Sequence, residues 1–289
     1  MSLNVFGCPR TSLEAHLDRS AKEKKSDNYH TCGIFITASY INHSCHSNAR
    51  RSFIGDMQIV RAARDIPAGT EITFWYANPE ATDTYDKTQG KLSNWGFQCT
   101  CITCQANKKM KKVQFDKRFA LLNDLQSVSN NKESIDLPKA ERVAAAIEQT
   151  YTSPATTLPR LALCDFYLGL TQVLDSNNKL AHAITYAWKT LTSLGFVIKR
   201  EQPASLTSMF EIEHWGLVLG QVVKIWVHLW VAYAKLAPSL CEKCEEYARI
   251  TYKICIGEDE TFNRTYGGAA RKAMCEGANL AVELEKIRL

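Results

Sequence analysis

Residues 39–48 read SYINHSCHSN, a dense run of polar side chains that directly follows an apolar stretch over Gly33–Ala38. Asn, His, Ser and Cys in succession are typical of a turn, and the same residue types also line binding sites. Local propensity does not choose between these two interpretations. To choose between a turn and a binding site, we use the segments on either side of the run and the cysteines further along the chain.

Short β-branched and aromatic segments surround this run and predict a small sheet. They cover Ile34–Ile36, Arg51–Ile54, Met57–Ala62 and Glu71–Tyr76. Gly55-Asp56 predicts a tight hairpin turn between two of them, because glycine and aspartate suit the backbone angles of such turns. The first part of the chain is therefore predicted to be strand and turn material.

A group of three cysteines, Cys99, Cys101 and Cys104, follows these strands. The two-residue gap between Cys101 and Cys104 allows two thiolates to reach one tetrahedral ion from a tight turn. With Cys99 as the third ligand, one of the four positions stays open. The chain has 11 cysteines, and an odd number does not suit a disulfide framework. Metal binding is the better interpretation, with zinc favoured and an iron–sulfur cluster as the alternative.

Three motifs carry a resemblance to one protein family. They are Asn42–Cys45 with Asn48, the run over Ala68–Tyr76, and the cysteines at 99–104. Their order and spacing resemble the second half of a SET domain with its post-SET cysteines. Within that family, they are most similar to the SET and MYND-type proteins and to fungal SET proteins with helical repeats. The resemblance covers about residues 1–106 and extends more loosely over the helices that follow.

The resemblance implies methyl transfer from S-adenosylmethionine and roles for particular residues. Tyr76 matches the tyrosine beside the transferred methyl group, where its phenol stabilises positive charge and orients the amine. His43 is the second catalytic candidate. The residues implied in cofactor binding are Asn42, His43, Ser39, Phe97 and Asn4. The implied structural zinc ligands are Cys45, Cys99, Cys101 and Cys104.

The sequence departs from the family pattern in one respect. It has no Gly-x-Gly turn for close approach to the cofactor, and it begins shortly before the strand at Gly33. A fragment of a longer methyltransferase and a short natural protein are the two explanations, and we favour the second because a cut through a sheet exposes strand edges. The donor site then lacks one wall, so binding of S-adenosylmethionine is doubtful.

The leading functional expectation follows from this departure. It is a SET-derived enzyme that has lost methyl transfer and acts on a small, largely apolar molecule, in a cyclase- or isomerase-type step of fungal biosynthesis. The ligand would lie in the cleft between two domains. Two alternatives stay open, an S-adenosylmethionine-dependent protein-lysine methyltransferase and a zinc-containing protein-interaction module.

The pattern becomes helical after residue 106, so the expected fold class is α+β. A truncated SET-like β domain with its zinc site covers 1–106, and an all-α helical array covers 107–289. Helices are predicted over 112–129, 138–151, 158–175, 178–194, 205–236 with a break, 238–256 and 260–287. Cys241 and Cys244 also have two-residue spacing, but they fall in a helical pattern and are interpreted as packing residues.

Composition sets broader limits on this 289-residue chain. A hydrophobic fraction of 45% with 22% charged residues is typical of a globular protein. The net charge of +5 is too weak to indicate nucleic-acid binding. No signal peptide opens the chain, and lysines interrupt the apolar stretch Trp215–Ala237, so we expect a cytoplasmic or nuclear protein away from membranes. The exposed edge of a partial sheet predicts a homodimer.

Overall fold

The computed structural model describes residues 5–8, 12–17, 31–130, 136–201, 205, 208–268 and 271–272. The chain divides into two compact units. The first contains Met1–Met110 together with Tyr252–Asp259, and the second contains Lys111–Thr251 together with Glu260–Leu289. A short segment from far along the chain therefore belongs to the N-terminal unit, a grouping that the sequence pattern did not indicate.

The described part of the first unit contains six short strands in three two-stranded sheets. The strands are β1 (Val5–Cys8), β2 (Thr31–Ile34), β3 (Asn42–His43), β4 (Ala49–Ile54), β5 (Met57–Ala62) and β6 (Thr73–Phe74). β1 pairs with β2 and β4 with β5, both antiparallel, whereas β3 and β6 run parallel. The parallel pair sets His43 opposite Phe74 and so brings the polar run beside the segment that ends at Tyr76.

Of the four predicted strands, Met57–Ala62 has the predicted limits and Arg51–Ile54 lies within the longer β4. The strand predicted over Ile34–Ile36 overlaps β2 only at Ile34. The hairpin at Gly55-Asp56 is confirmed, since Ile54 pairs with Met57 and Gly55 has φ +59°. The strand predicted to reach Tyr76 is only two residues long. The Asn48 side chain donates to the Glu71 carbonyl (2.8 Å) and accepts from the Thr73 N–H (2.9 Å), so it takes backbone groups that a neighbouring strand would otherwise use.

The segment Tyr252–Asp259 is held on the β4–β5 hairpin by a bidentate contact. Arg61 donates from Nε (3.1 Å) and Nη2 (2.7 Å) to the Gly257 carbonyl. Gly257 has φ +101°, and a Cβ placed there would lie 2.6 Å from Ser52 Oγ. Only glycine therefore suits both the backbone angle and the close approach at this position.

The second unit is mainly helical. Its helices are α4 (Lys112–Asn130), α5 (Leu137–Glu148), α6 (Leu161–Ser176), α7 (Leu180–Ser193), α8 (Gly220–Leu236) and the greater part of α9 (Cys241–Ile256). Helices α1 (Ser12–Leu17), α2 (Tyr85–Leu92) and α3 (Ile102–Lys109) precede them in the first unit. Within the predicted helix over 260–287, residues 262–268 and 271–272 are helical, and 269–270 and 273–287 lie outside the described residues.

The prediction of an all-α second domain is wrong. An antiparallel hairpin, β7 (Val197–Arg200) with β8 (Phe210–His214), lies between α7 and α8. The missed signal is the alternation of Phe210 and Ile212 with Glu211 and Glu213, which has the two-residue period of a strand. The broken helix predicted over 205–236 is therefore a strand followed by a helix.

Aromatic residues form much of the core of this unit. Trp226 is fully buried, with its ring centroid 5.7 Å from that of Trp188 and 4.9 Å from that of Tyr247. Cys241 and Cys244 are buried on α9, where the Cys241 thiol lies 3.9 Å from the Trp230 carbonyl oxygen. Among the described helices, none is long and apolar enough to cross a membrane.

A four-cysteine cluster beside an aromatic pocket

The four cysteines predicted as metal ligands come together in the first unit. The Sγ atoms of Cys45, Cys99, Cys101 and Cys104 all lie within 4.8 Å of one another, and those of Cys45 and Cys104 are 3.7 Å apart. Tetrahedral coordination with zinc–sulfur bonds of about 2.3 Å places the sulfur atoms about 3.8 Å apart. The cluster therefore fits a metal ion of this kind, and the identity of that ion stays a prediction.

Three different elements deliver these sulfur atoms. Cys45 lies in the turn after β3, and Cys99 lies in the loop that follows α2. Cys101 is the N-cap of α3, and Cys104 lies in the first turn of the same helix. A helix N-terminus favours negative charge, so α3 presents its positive end to these two sulfur atoms.

The packing of four thiols separates their pKa values. The hydrogen bond from Cys104 lowers the pKa of Cys101 to about 6. The pKa of Cys99 is also lowered, first by Cys101 and then by Cys104 and Cys45, with His43 acting in the same direction. The hydrogen bond that Cys45 makes to Cys101 raises the pKa of Cys45. The cluster thus carries negative charge that a bound cation would balance.

Gln89 on α2 fixes the cysteine loop and was not identified from the sequence. Its Oε1 accepts from the Cys99 N–H (2.9 Å), and its Nε2 donates to the Cys99 carbonyl (3.2 Å) and lies 3.6 Å from Cys104 Sγ. Trp75 Nε1 donates to the Cys45 carbonyl at 3.1 Å. No local motif marks Gln89, and the motif over Ala68–Tyr76 contains Trp75 without indicating its contact with Cys45. Both contacts join segments that are separate in sequence.

His43 joins the cluster to Tyr76. Its Nδ1 accepts from the Tyr76 backbone N–H at 3.0 Å, so the ring proton lies on Nε2, which donates to Cys45 Sγ at 3.3 Å. The side chain is 8% exposed. Since both ring nitrogens are engaged, this geometry does not favour proton transfer by His43, and its catalytic role stays a prediction.

A cavity of about 780 Å³ opens next to this histidine, within the first unit. Four of the residues predicted to bind a cofactor line it, namely Ser39, Asn42, His43 and Phe97. Tyr76 and Trp95 also line it, together with Cys99 and Cys101 of the cluster. Asn4, the remaining predicted cofactor contact, lies outside the described residues.

Aromatic rings form one side of the cavity. The Tyr76 ring centroid lies 5.4 Å from that of Trp95, 5.5 Å from that of His43 and 6.0 Å from that of Phe97. The Tyr76 phenol donates to the Ile41 carbonyl at 2.9 Å, and burial raises the pKa of Tyr76. The phenol is therefore protonated at neutral pH, and the surrounding π-faces suit a cationic ligand.

Polar groups line the rest of the cavity. Asn42 Nδ2 donates to Glu71 Oε1 at 2.7 Å, which leaves the Asn42 side-chain oxygen available to a ligand. Arg64 Nη1 lies 2.7 Å from His46 Nε2, and Arg64 Nη2 donates to the His46 carbonyl at 3.3 Å. Glu71 and Arg64 were not predicted as site residues, since charged side chains in turns are usually solvated.

Comparison with known proteins agrees with the motifs. Residues 6–77 match the family model of the SET domain. The chain carries a SET domain at its N-terminal end. Over 268 residues, which are 90% of this chain and 37% of the relative, it is 39% identical to a protein named "Methyltransferase" from Gibberella zeae. It is 31% identical over 132 residues to "Histone-lysine N-methyltransferase SET5" from Meyerozyma guilliermondii, covering 40% of this chain and 27% of the relative.

The SET and MYND-type similarity is confirmed as well. "Histone-lysine N-methyltransferase SMYD3" from Homo sapiens is 34% identical over 143 residues, covering 50% of this chain and 32% of the relative. The chain thus spans about a third of the length of these curated relatives, 37%, 27% and 32% in turn.

The expectation of a repurposed cyclase- or isomerase-type enzyme is wrong. Relatives over most of this chain and over its SET segment are named methyltransferases or histone-lysine methyltransferases. The expectation rested on where the sequence begins, whereas Asn42, His43 and Tyr76, the residues predicted to bind the cofactor or take part in catalysis, line one cavity. Of the two alternatives that the sequence left open, the comparisons therefore favour the methyltransferase.

Proposed function

We propose that this chain takes part in S-adenosylmethionine-dependent methylation of lysine side chains in proteins. The observation that carries the proposal is the cavity of about 780 Å³, which Asn42, His43, Tyr76 and Phe97 line together. Its volume lies within the range of roughly 300–1,000 Å³ that is usual for cofactor and small-molecule sites. The names of the relatives support the same reaction class.

The lining residues fit a cofactor that has both a cationic centre and polar groups. S-adenosylmethionine, when bound, supplies a methyl group activated by a positively charged sulfur. The faces of Tyr76, Trp95 and Phe97 attract such a charge, and Asn42 offers an amide oxygen to a donor. The hydrogen bond to Ile41 fixes the Tyr76 phenol, whose oxygen has lone pairs left to orient an amine.

We assign zinc to the four-cysteine cluster as a structural ion. Four thiolates suit zinc, and the sulfur spacing of 3.7 Å between Cys45 and Cys104 fits its geometry. Bound there, the ion would tie the first turn of α3 to the turn after β3 and so fix two of the segments that line the cavity. The free thiols of this cluster suit a reducing compartment, the cytoplasm or nucleus.

Calorimetry and a transfer assay test the proposal together. The zinc-loaded chain is titrated with S-adenosylmethionine, and transfer of a labelled methyl group to histone proteins is measured by mass spectrometry. We expect saturable binding of one cofactor per chain and methylation that falls about 100-fold in Tyr76→Phe, because the phenol stabilises the transition state. Tyr40→Phe is the matched control, since Tyr40 is 82% exposed. Absence of saturable binding to the zinc-loaded chain would refute the proposal.

A further inference from the structure

Tyr76 lies just beyond the reach of the parallel sheet. The paired residues of β3 and β6 end at His43 and Phe74, followed by one weaker bond from the Ser44 N–H to the Phe74 carbonyl at 3.4 Å. The next backbone donor on that side, the Tyr76 N–H, is bound by the imidazole Nδ1 of His43 at 3.0 Å. A side chain therefore takes the place of the next strand residue and holds the backbone of Tyr76.

The other edge of the same imidazole faces the cysteine cluster. With Nδ1 accepting, Nε2 carries the proton and donates to Cys45 Sγ at 3.3 Å. The ring is 8% exposed and packs between the cluster and the pocket aromatics, with its centroid 5.5 Å from that of Tyr76 and 6.1 Å from that of Phe97. Rotating the ring would break both hydrogen bonds at once, so the position of the sulfur atom and that of the Tyr76 backbone are linked.

We infer that His43 is a positioning residue that couples the metal in the four-cysteine cluster to Tyr76 in the pocket. This inference rests on the proposed metal site and deepens the proposed function. The thiolate fixes the ring orientation through the Nε2–H, and the ring fixes the Tyr76 backbone through Nδ1. Hydrogen bonds to ligand atoms orient a metal site and tune it, and here the same group also reaches a pocket residue. The metal then acts on the pocket through His43 and not only through overall stability.

Replacing the metal and observing the Tyr76 amide tests this coupling without an activity assay. The chain is labelled with ¹⁵N-tyrosine, loaded with Zn²⁺ or ¹¹³Cd²⁺, and compared by NMR, with the Tyr76 signal assigned from its loss in Tyr76→Phe. We expect the exchange of metal to shift the Tyr76 amide more than that of exposed Tyr40. We also expect the His43 Nε2 proton to show scalar coupling to ¹¹³Cd across the N–H···S bond.

His43→Phe separates coupling from packing, because phenylalanine keeps a ring and loses both hydrogen bonds. In this variant, the metal-dependent shift of Tyr76 should disappear, and metal affinity against a chromophoric chelator should fall roughly 10–100-fold. His182→Phe on α7 is the matched control, since His182 is exposed in the other unit. If the variant does not fold, the presence or absence of ¹¹³Cd coupling to His43 in the unaltered chain still tests the inference.

Four outcomes would overturn the inference. They are a chain that takes up no Cd²⁺, a Tyr76 amide that ignores the metal, a metal-dependent shift that persists in His43→Phe, and a His43 proton without coupling to ¹¹³Cd. The methyltransferase proposal fails separately. If the chain shows the coupling but binds no S-adenosylmethionine, the inference about His43 stands and the proposed methyltransferase function is refuted.

Discussion

Two cysteine pairs in this chain have the same spacing, Cys101 with Cys104 and Cys241 with Cys244, and they lie in opposite environments. The first pair lies at the start of α3, where Cys45 and Cys99 complete a set of four sulfur atoms within 4.8 Å of one another. The second pair lies on α9 among apolar and aromatic side chains, and burial raises the pKa of both thiols. Spacing alone therefore does not define a metal site, because the remaining ligands come from elsewhere in the chain.

The largest difference is expected when one cysteine of each pair is replaced by serine. Cys104→Ser should abolish stoichiometric zinc binding and unfold or loosen the first unit, because structural zinc contributes roughly 10–16 kcal/mol in small zinc-dependent folds. Cys244→Ser should keep one zinc ion per chain. Elemental analysis of the purified proteins measures the zinc content, and thermal unfolding with and without a chelator measures the stability that zinc provides. Equal zinc content in the two variants would remove the distinction between the pairs.

Alkylation of the metal-free protein, under conditions in which circular dichroism shows the first unit still folded, sharpens the comparison through pH. A lowered pKa leaves Cys101 mostly as thiolate above pH of about 6, so its alkylation rate should be nearly constant above that pH and fall below it. Burial raises the pKa of Cys241 and Cys244, so their rates should be low at neutral pH and rise only in alkaline solution. Mass spectrometry after timed labelling with iodoacetamide measures both. Similar pH profiles for Cys101 and Cys244 would contradict the prediction.

The side chain of Gln89 supports the first cysteine pair. Among the described residues, no hydrogen bond of this kind is found at the second pair. Gln89→Ala removes both hydrogen bonds to the Cys99 backbone and the contact with Cys104, so zinc affinity should fall about tenfold. Competition with a chromophoric chelator measures this. Gln114→Ala is the control, because Gln114 is exposed in the first turn of α4. An unchanged affinity would show that the four sulfur atoms need no support from α2.

The smallest expected effect is that of Cys244→Ala, which probes packing alone. Removing a fully buried sulfur should lower the free energy of unfolding by roughly 1–2 kcal/mol, as for other small deletions in a core, and leave the zinc content unchanged. Chemical denaturation followed by tryptophan fluorescence measures the first quantity and elemental analysis the second. Loss of zinc in this variant would mean that the second pair also holds metal.

Prediction from the sequence succeeded where a short segment carries its own signal. Gly55-Asp56 specifies a hairpin because two adjacent residues set the turn, and the strand over Met57–Ala62 follows from it. The β7–β8 hairpin was missed, although Phe210 and Ile212 alternate with glutamates, because the apolar stretch that begins at Trp215 and contains α8 masked the two-residue period. The strand to Tyr76 was predicted too long, since nothing local shows that the Asn48 side chain takes backbone groups of its neighbours.

The sequence by itself determined the SET resemblance, the cysteines of the cluster and the residues Asn42, His43 and Tyr76 that line the cavity. Only the tertiary structure decided how these parts connect. Gln89 clamps Cys99, Trp75 holds Cys45, and His43 joins Cys45 to a tyrosine 33 residues away. The physical reason is that residue types and short spacings are written in order along the chain. A hydrogen bond, by contrast, requires two groups within about 3 Å, and folding alone sets that distance for residues far apart in sequence.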